Sequence, residues 1–518
     1  MPLLTWNSFP VLVLTGLAVW EALPFFRQSL RASRWWRLLA WFWRPWGLWA
    51  VLNIVFRLLG RWGFGDRTTF PFFCNPWRSG SGWRATFDWL FARQELATWS
   101  LVLFLLGLLF LLTCRQIIAA PPTRRTTALV LVVLVAFAFV LPLTYECLPE
   151  GPGNLDDSEG CFLQVWLDSG STMLYCMPRV HSKAHFLKHF DEIQPTLRVS
   201  IHGVSHPPGA TLALYWLGKC FGATEQVTDD RLRYALGSTL FAALGVIAVF
   251  LLGWTMYQSR QAGLMAAALW AVKPAALAYN TFSPDAVCTV FFILFVALTW
   301  RIALADRRRW GSMIALGVVL YALTLLNFIW PLFVALFGFM VLLFAWRLDL
   351  RPADWIVRGA VPVALMALLL VTTCFYYRLN YVAVFHYALT YYNGCHRTDL
   401  YQKVMETVGG QVDLYLMTGS FCVYLFWTRL PGWLRCKPVP PQALFLLAIL
   451  AFQIVTIVFL KGPAGEASRI WAWIPAVPVA MVANHLRTLD RPGFYFTAAA
   501  AFALLQYYFM RLFLMFLG

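Results

Sequence analysis

A chain of 518 residues that is 60% hydrophobic and 13% charged carries about half the charge of a soluble globular domain, and no water-soluble fold hides that much apolar surface. The net charge of +17 would suit nucleic acid, but most Arg and Lys stand in short clusters between apolar runs, as at Arg124-Arg125, Arg307-Arg308-Arg309 and 429–437. That arrangement orients membrane helices against anionic lipid, so membrane lipid is the expected partner and nucleic acid is not.

Lipid offers the backbone no hydrogen-bond partners, so apolar runs of about 17 to 25 residues read as spanning helices. The first, 9–26, lacks a basic n-region and a small-residue cleavage site and reads as a retained helix. The second, 38–59, falls in a Trp- and Arg-dense segment, 30–93, that holds one crossing or lies partly in the interface. Runs at 97–113 and 128–145 lead to a long polar loop, 146–205. Beyond it come 206–221, 234–256, 264–279, 284–302, 313–328, 331–346, 357–376, 412–427, 443–460, 470–485 and 494–516, with no internal repeat. The expected fold is all-α, a polytopic transmembrane bundle of about 12 to 14 helices with short juxtamembrane helices in its long external loop. It is expected to divide into an N-terminal membrane extension (1–126), a central transmembrane domain with the long loop (127–486) and a C-terminal transmembrane helix (487–518).

Placing the Arg-rich loops inside makes 301–309, 347–358, 429–437 and 487–491 cytoplasmic, together with Arg115 and Arg124-Arg125. The loop 146–205 is then external. One stretch conflicts: three runs separate His206 from Ser283, yet both ends should be external, which needs an even number of crossings. A short helix starting at His206 that does not fully cross repairs the parity.

The external loop concentrates polar chemistry: Asp156, Asp157, Glu159, Asp168, Asp191, Glu192, Arg179, Lys183, Arg198 and four of the eight His. A loop this long in a compact bundle usually has a function, against the plainer reading of a solvated surface. At its end His206-Pro207-Pro208-Gly209 opens an apolar run with Ser205 placed as an N-cap, so a helix starts at the membrane surface with free N–H donors suited to a phosphate. His181, His185 and His189 recur every four residues, as do His202 and His206, so a divalent metal is weighed. Without a CxxC or HExxH pattern, an amphipathic surface helix is preferred. The 11 Cys form no CxxC pair; Cys288, Cys374 and Cys422 read as packing residues, and Cys147, Cys161 and Cys176 allow one disulfide in the loop. The Tyr-rich segment 378–410 suits sugar stacking or interfacial anchoring.

An acidic residue in the first large external loop, the segment Phe186-Leu187-Lys188-His189-Phe190, and His202-Gly203-Val204-Ser205-His206-Pro207-Pro208-Gly209 opening a helix together resemble the bacterial GT-C-class membrane glycosyltransferases, the superfamily of protein O-mannosyltransferases and the lipid A aminoarabinose transferase. Ser283-Pro284-Asp285-Ala286 and Gly465-Glu466-Ala467-Ser468-Arg469-Ile470-Trp471 extend the resemblance, which runs from about 168 to 485 and is specific only in combination. It implies inverting transfer of a sugar from a polyprenyl-phosphate donor to a glycan, lipid or protein acceptor at the external face of the bacterial cytoplasmic membrane. Asp168 stands where the family carries its loop carboxylate and is the expected base. Ser169 follows it where many relatives have an acidic pair, and the true pair here, Asp191-Glu192, is the alternate. His206 and Arg469, then His202 and Arg179, are expected at the donor phosphate, and Asp285 and Glu466 at the sugar or acceptor. Arg469 and Asp285 also have plainer readings, as an interfacial anchor and a dipole-stabilising first-turn residue. The rival functions are a flippase or transporter for a lipid-linked sugar and a relative that keeps the fold without activity.

Overall fold

The computed structural model describes residues 44, 74–76, 94–119, 122–146, 180, 182–197, 204, 206–224, 231–279, 284–305, 308–395, 411, 414, 417–459 and 471–516. Its helices, in chain order, begin with α1 (Gln94–Ala119), α2 (Arg124–Glu146), α3 (Lys183–Lys188), α4 (Phe190–Ile193), α5 (Pro208–Cys220) and α6 (Arg231–Ala243). Then come α7 (Gly245–Tyr257), α8 (Arg260–Ala271), α9 (Pro274–Tyr279), α10 (Pro284–Ala303), α11 (Trp310–Leu326) and α12 (Trp330–Arg347). The chain closes with α13 (Pro352–Tyr377), α14 (Tyr381–Cys395), α15 (Ser420–Arg435), α16 (Pro441–Phe459), α17 (Ala476–Arg487) and α18 (Pro492–Phe513). A three-residue antiparallel ladder, β1 (Cys74–Pro76) with β2 (Leu514–Phe516), accompanies the bundle.

Six segments are long and apolar enough to cross a membrane: Ala97–Ala119, Arg124–Tyr145, Leu232–Tyr257, Asp285–Ala303, Trp330–Arg347 and Pro352–Tyr377. The chain is a multi-pass membrane protein by that measure. Side chains such as Phe104, Leu129, Val371 and Phe375, each 65% or more exposed, cover α1, α2 and α13 with a surface only lipid would solvate. Of the remaining expected spans, 9–26 and 38–59 lie outside the described residues except Arg44.

Contacts between helix ends sort the bundle into two faces. Arg260 donates to the Pro122 carbonyl at 3.2 Å, Trp300 to Thr255 at 3.4 Å, Gln442 to Met256 at 3.2 Å and Arg358 to Ile302 at 3.0 Å, while Arg308 pairs with Asp354 at 2.8 Å. These bonds gather the start of α2, the end of α7, the start of α8, the end of α10, and the starts of α13 and α16. The basic loops therefore share one face, as the charge pattern requires. The other end of α2, at Glu146, lies at the opposite face, the polar-loop face.

At 206–221 the structure has the short helix that loop parity calls for. This helix, α5, has 13 residues and spans about 20 Å, short of a hydrocarbon core of about 30 Å. Both of its ends touch the polar-loop face: a Cβ on Gly209 would overlap the Leu325 carbonyl at the end of α11, and one on Gly218 would overlap the Tyr234 ring at the start of α6. The helix lies along that face, and the parity conflict disappears. Backbone closeness is what the glycines permit, since a Cβ on Gly237 would likewise strike the Leu217 carbonyl. Gly218→Val is expected to lower stability by about 1 to 3 kcal/mol by forcing α5 off α6, measured as a fall in the thermal unfolding midpoint in detergent. An unchanged midpoint would contradict this packing.

Three other expected spans are broken or shifted. The run 264–279 is two helices, α8 and α9, parted at Val272 and Lys273. In the run 412–427 the helix starts at Ser420, after Gly419 at φ 107°, a left-handed value that favours glycine. In 470–485 it starts at Ala476. From the basic face, the 12 residues of α8 and the 12 of α17 each reach about 18 Å, so their breaks lie at similar depth. Such irregular backbone is tolerated at membrane depth when protein buries it and satisfies it. Here Ala275 donates to the Met417 carbonyl at 2.8 Å and the Ser420 amide to Gln506 Oε1 at 2.8 Å. Lys273, 2% exposed, fills the gap: its Nζ donates to the Ala472 carbonyl at 2.7 Å and lies 3.4 Å from the Trp270 ring centre.

Candidate functional site

The described end of the polar loop is fastened to the bundle. Ser182 caps α3 by accepting from the His185 amide at 3.1 Å, and the amphipathic spacing of Phe186, Leu187 and Phe190 buries all three. They join Val180, Leu197, Val204, Leu212, Tyr215 and the start of α14 in a second apolar cluster, separate from the main core. Gln194, fully buried in the 3₁₀ turn after α4, bridges the cluster by donating to the Val204 carbonyl at 2.8 Å and the Val384 carbonyl at 3.3 Å. Tyr381 donates to the Thr324 carbonyl at 2.6 Å, and burial pushes its phenol pKa up, so the donating form persists. Of the Tyr-rich segment, Tyr381, Tyr387 and Tyr391 therefore pack into this cap.

Beneath the cap is a groove of about 420 Å³, within the range of small-molecule sites. Lys183 and Leu187 roof it, Gly209, Leu212, Ala213, Trp216 and Leu217 of α5 form one wall, and α11 and α13 form the other. Its polar groups gather at the cap end. Tyr321 and Thr373 share a hydroxyl hydrogen bond of 2.5 Å, and the Lys183 ammonium sits 5.1 Å from the Tyr377 ring centre. Away from the cap the lining is apolar, with Phe241 and Phe291 stacked at 5.7 Å. Phe291 stands seven residues into α10 and Phe241 ten into α6, so this floor lies about 10 to 15 Å in from the polar-loop face. Trp216, 53% exposed, stands at the rim.

The expected site residues divide into three groups. His206 and Asp285 are described but neither lines the groove: His206 precedes the lining residue Gly209 by three positions, and Asp285, in the first turn of α10, precedes the lining residue Val287 by two. Asp191 and Glu192 do not line it. Asp191 accepts from the Glu192 amide at 3.1 Å, and Glu192, its side chain 76% exposed, pairs with His189 Nδ1 at 3.2 Å. Asp168, Arg179, His202, Glu466 and Arg469 lie outside the described residues. His185 and His189 do neighbour each other, with ring centres 4.6 Å apart, but no group of three metal-ligating side chains forms among the described residues.

Four groove residues were not singled out as site residues by the sequence: Lys183, Tyr321, Thr373 and Tyr377. Lys183 follows a capping Ser in a helix that reads as a solvated surface element. Tyr321 and Thr373 are ordinary polar interruptions of two apolar runs 52 residues apart, and only the packing of α11 on α13 joins them. No family model, characterised protein or solved structure matches the chain.

Proposed function

We propose that this chain is a membrane glycosyltransferase of the GT-C type, moving a sugar from a polyprenyl-phosphate donor to an acceptor at the outer membrane face. The observation that carries the reading is the groove beneath the cap, because it pairs one ammonium and several hydroxyls at the membrane surface with an aromatic floor at hydrocarbon depth. A polyprenyl-phosphate sugar has the same two-part chemistry. Its isoprenoid gains by burial on the apolar floor, and its phosphate meets Lys183 and His206 near the start of α5, where the Gly209 N–H adds a donor. Arg469, His202 and Arg179 complete the phosphate site in this reading, and Asp285 and Glu466 hold sugar or acceptor.

The chemistry follows from these roles. The acceptor hydroxyl attacks the anomeric carbon as its proton passes to Asp168, the bond from that carbon to the phosphate oxygen breaks, and the leaving lipid phosphate keeps the electron pair. Attack opposite the leaving group inverts the anomeric centre. The test is transfer of label from a panel of radiolabelled polyprenyl-phosphate sugars by membranes containing the protein. Label appearing in an acceptor fraction supports the reading. No transfer from any donor, with lipid-linked sugar crossing the bilayer of reconstituted liposomes, would replace it with a flippase. One observation favours that second reading: a buried lysine at a break in a membrane helix is a recurring feature of transport paths.

A further inference from the structure

We infer that the basic face carries a second lipid site, a pocket for the phosphate-bearing headgroup of an anionic phospholipid between the end of α10 and the start of α11. The cavity there measures about 400 Å³. Arg301, in the last turn of α10, and Arg309, just ahead of α11, both line it. Neither guanidinium has a partner among the described residues, whereas the neighbouring Arg308 is engaged by Asp354 at 2.8 Å. Arg301 and Arg309 are both exposed, so their charge is open to a ligand.

The pocket is furnished for phosphate in three further ways. Ser312 lines it, is 8% exposed, and its hydroxyl has no hydrogen-bond partner among the described residues. Arg309 gives α11 no side-chain cap, so the amides of Trp310 and Gly311 point their donors and the helix dipole toward the cavity mouth. A Cβ on Gly311 would meet nothing within 4 Å, so the space above it is open. Two forked guanidiniums, a hydroxyl and a helix N-terminus are the donor set that takes a phosphate by paired hydrogen bonds.

A phospholipid fits this site better than a soluble anion. Leu298 and Ala315 give the cavity an apolar back wall, and Trp310, 52% exposed, stands at the headgroup depth where indole rings collect. The site is independent of the transferase reading, since it lies on the opposite face.

Native mass spectrometry of the full chain released from nanodiscs of phosphatidylglycerol and phosphatidylcholine tests it. Wild type is expected to retain one phosphatidylglycerol in preference to phosphatidylcholine. The R301Q/R309Q double variant should lower that retention at least about tenfold, the effect of losing charge-assisted hydrogen bonds. G311F, which fills the cavity and keeps both arginines, should do the same, and R435Q, an exposed arginine of the same face away from the pocket, should not. Equal loss in R435Q, or full retention in G311F, would reduce the effect to general charge attraction and overturn the site. Displacement of the lipid by millimolar inorganic phosphate would assign the pocket to a free anion and overturn the lipid as its occupant.

Discussion

Ala213→Trp is expected to cut transfer from a long-chain polyprenyl-phosphate donor about a hundredfold. Ala213 is half-buried, lines the groove and also packs against the main core, so an indole there displaces ligand from the groove. Excluding about four methylenes of the isoprenoid from an apolar floor costs about 3 kcal/mol, which is about a hundredfold in kcat/KM. The tail is bound equally before and during the chemical step, so the loss should fall on KM and spare kcat. A donor with a truncated carrier, which cannot reach Phe241 and Phe291, should be nearly insensitive to the substitution. Equal sensitivity of long and short donors would show that the groove does not hold the tail.

The parts of this fold that depend on composition alone were legible in the sequence. Long apolar runs and basic loops follow from the solvent a helix must meet, and six of those runs are helices of spanning length with the basic clusters on one face. Two features were not legible, and a third was legible only through loop parity, because hydropathy measures the composition of a run and not its direction. The run 206–221 is apolar because α5 buries one side against α6 and α11, and a helix lying along a face and one crossing it share that composition. Only the parity of the loops exposed the difference. Lys273 ends α8 because its ammonium finds the Ala472 carbonyl and the Trp270 ring, contacts some 200 residues apart for the first of them. The helix at Ser420 starts late because Gly419 takes a left-handed conformation, which local hydrophobicity cannot report.

None of the described residues named as site residues from the sequence lines the groove. His206 and Asp285 stand out as polar residues opening apolar helices, and each falls within three residues of a lining position. Lys183 reads as one of several cations on an amphipathic helix. Nothing local distinguishes it from Lys188, which does not line the groove, because the difference is which side of α3 faces α5 and α13.

The placement of the acidic residues sharpens the identity of the base into the largest expected effect. Of the three proposed carboxylates, Asp191 and Glu192 stand on the exposed side of the cap, and Glu192 is already committed to His189. Phe190 next to them is fully buried, so turning the pair inward would expel that ring from the cluster that fastens the cap. Asp168 lies outside the described residues and keeps the position that the resemblance assigns to the base. Asp168→Asn removes the proton acceptor while preserving shape, and transfer is expected to fall by about a hundred- to ten-thousandfold through kcat, the range a positioned general base contributes. Asp191→Asn and Glu192→Gln should each stay close to wild type. Asp285→Asn separates the remaining roles: a carboxylate that binds sugar or acceptor loses affinity on substitution and shows it in KM, whereas a base shows it in kcat and in the acid limb of the pH profile. If Glu192→Gln abolishes transfer and Asp168→Asn does not, the cap must reorganise around the donor, and the base belongs to α4.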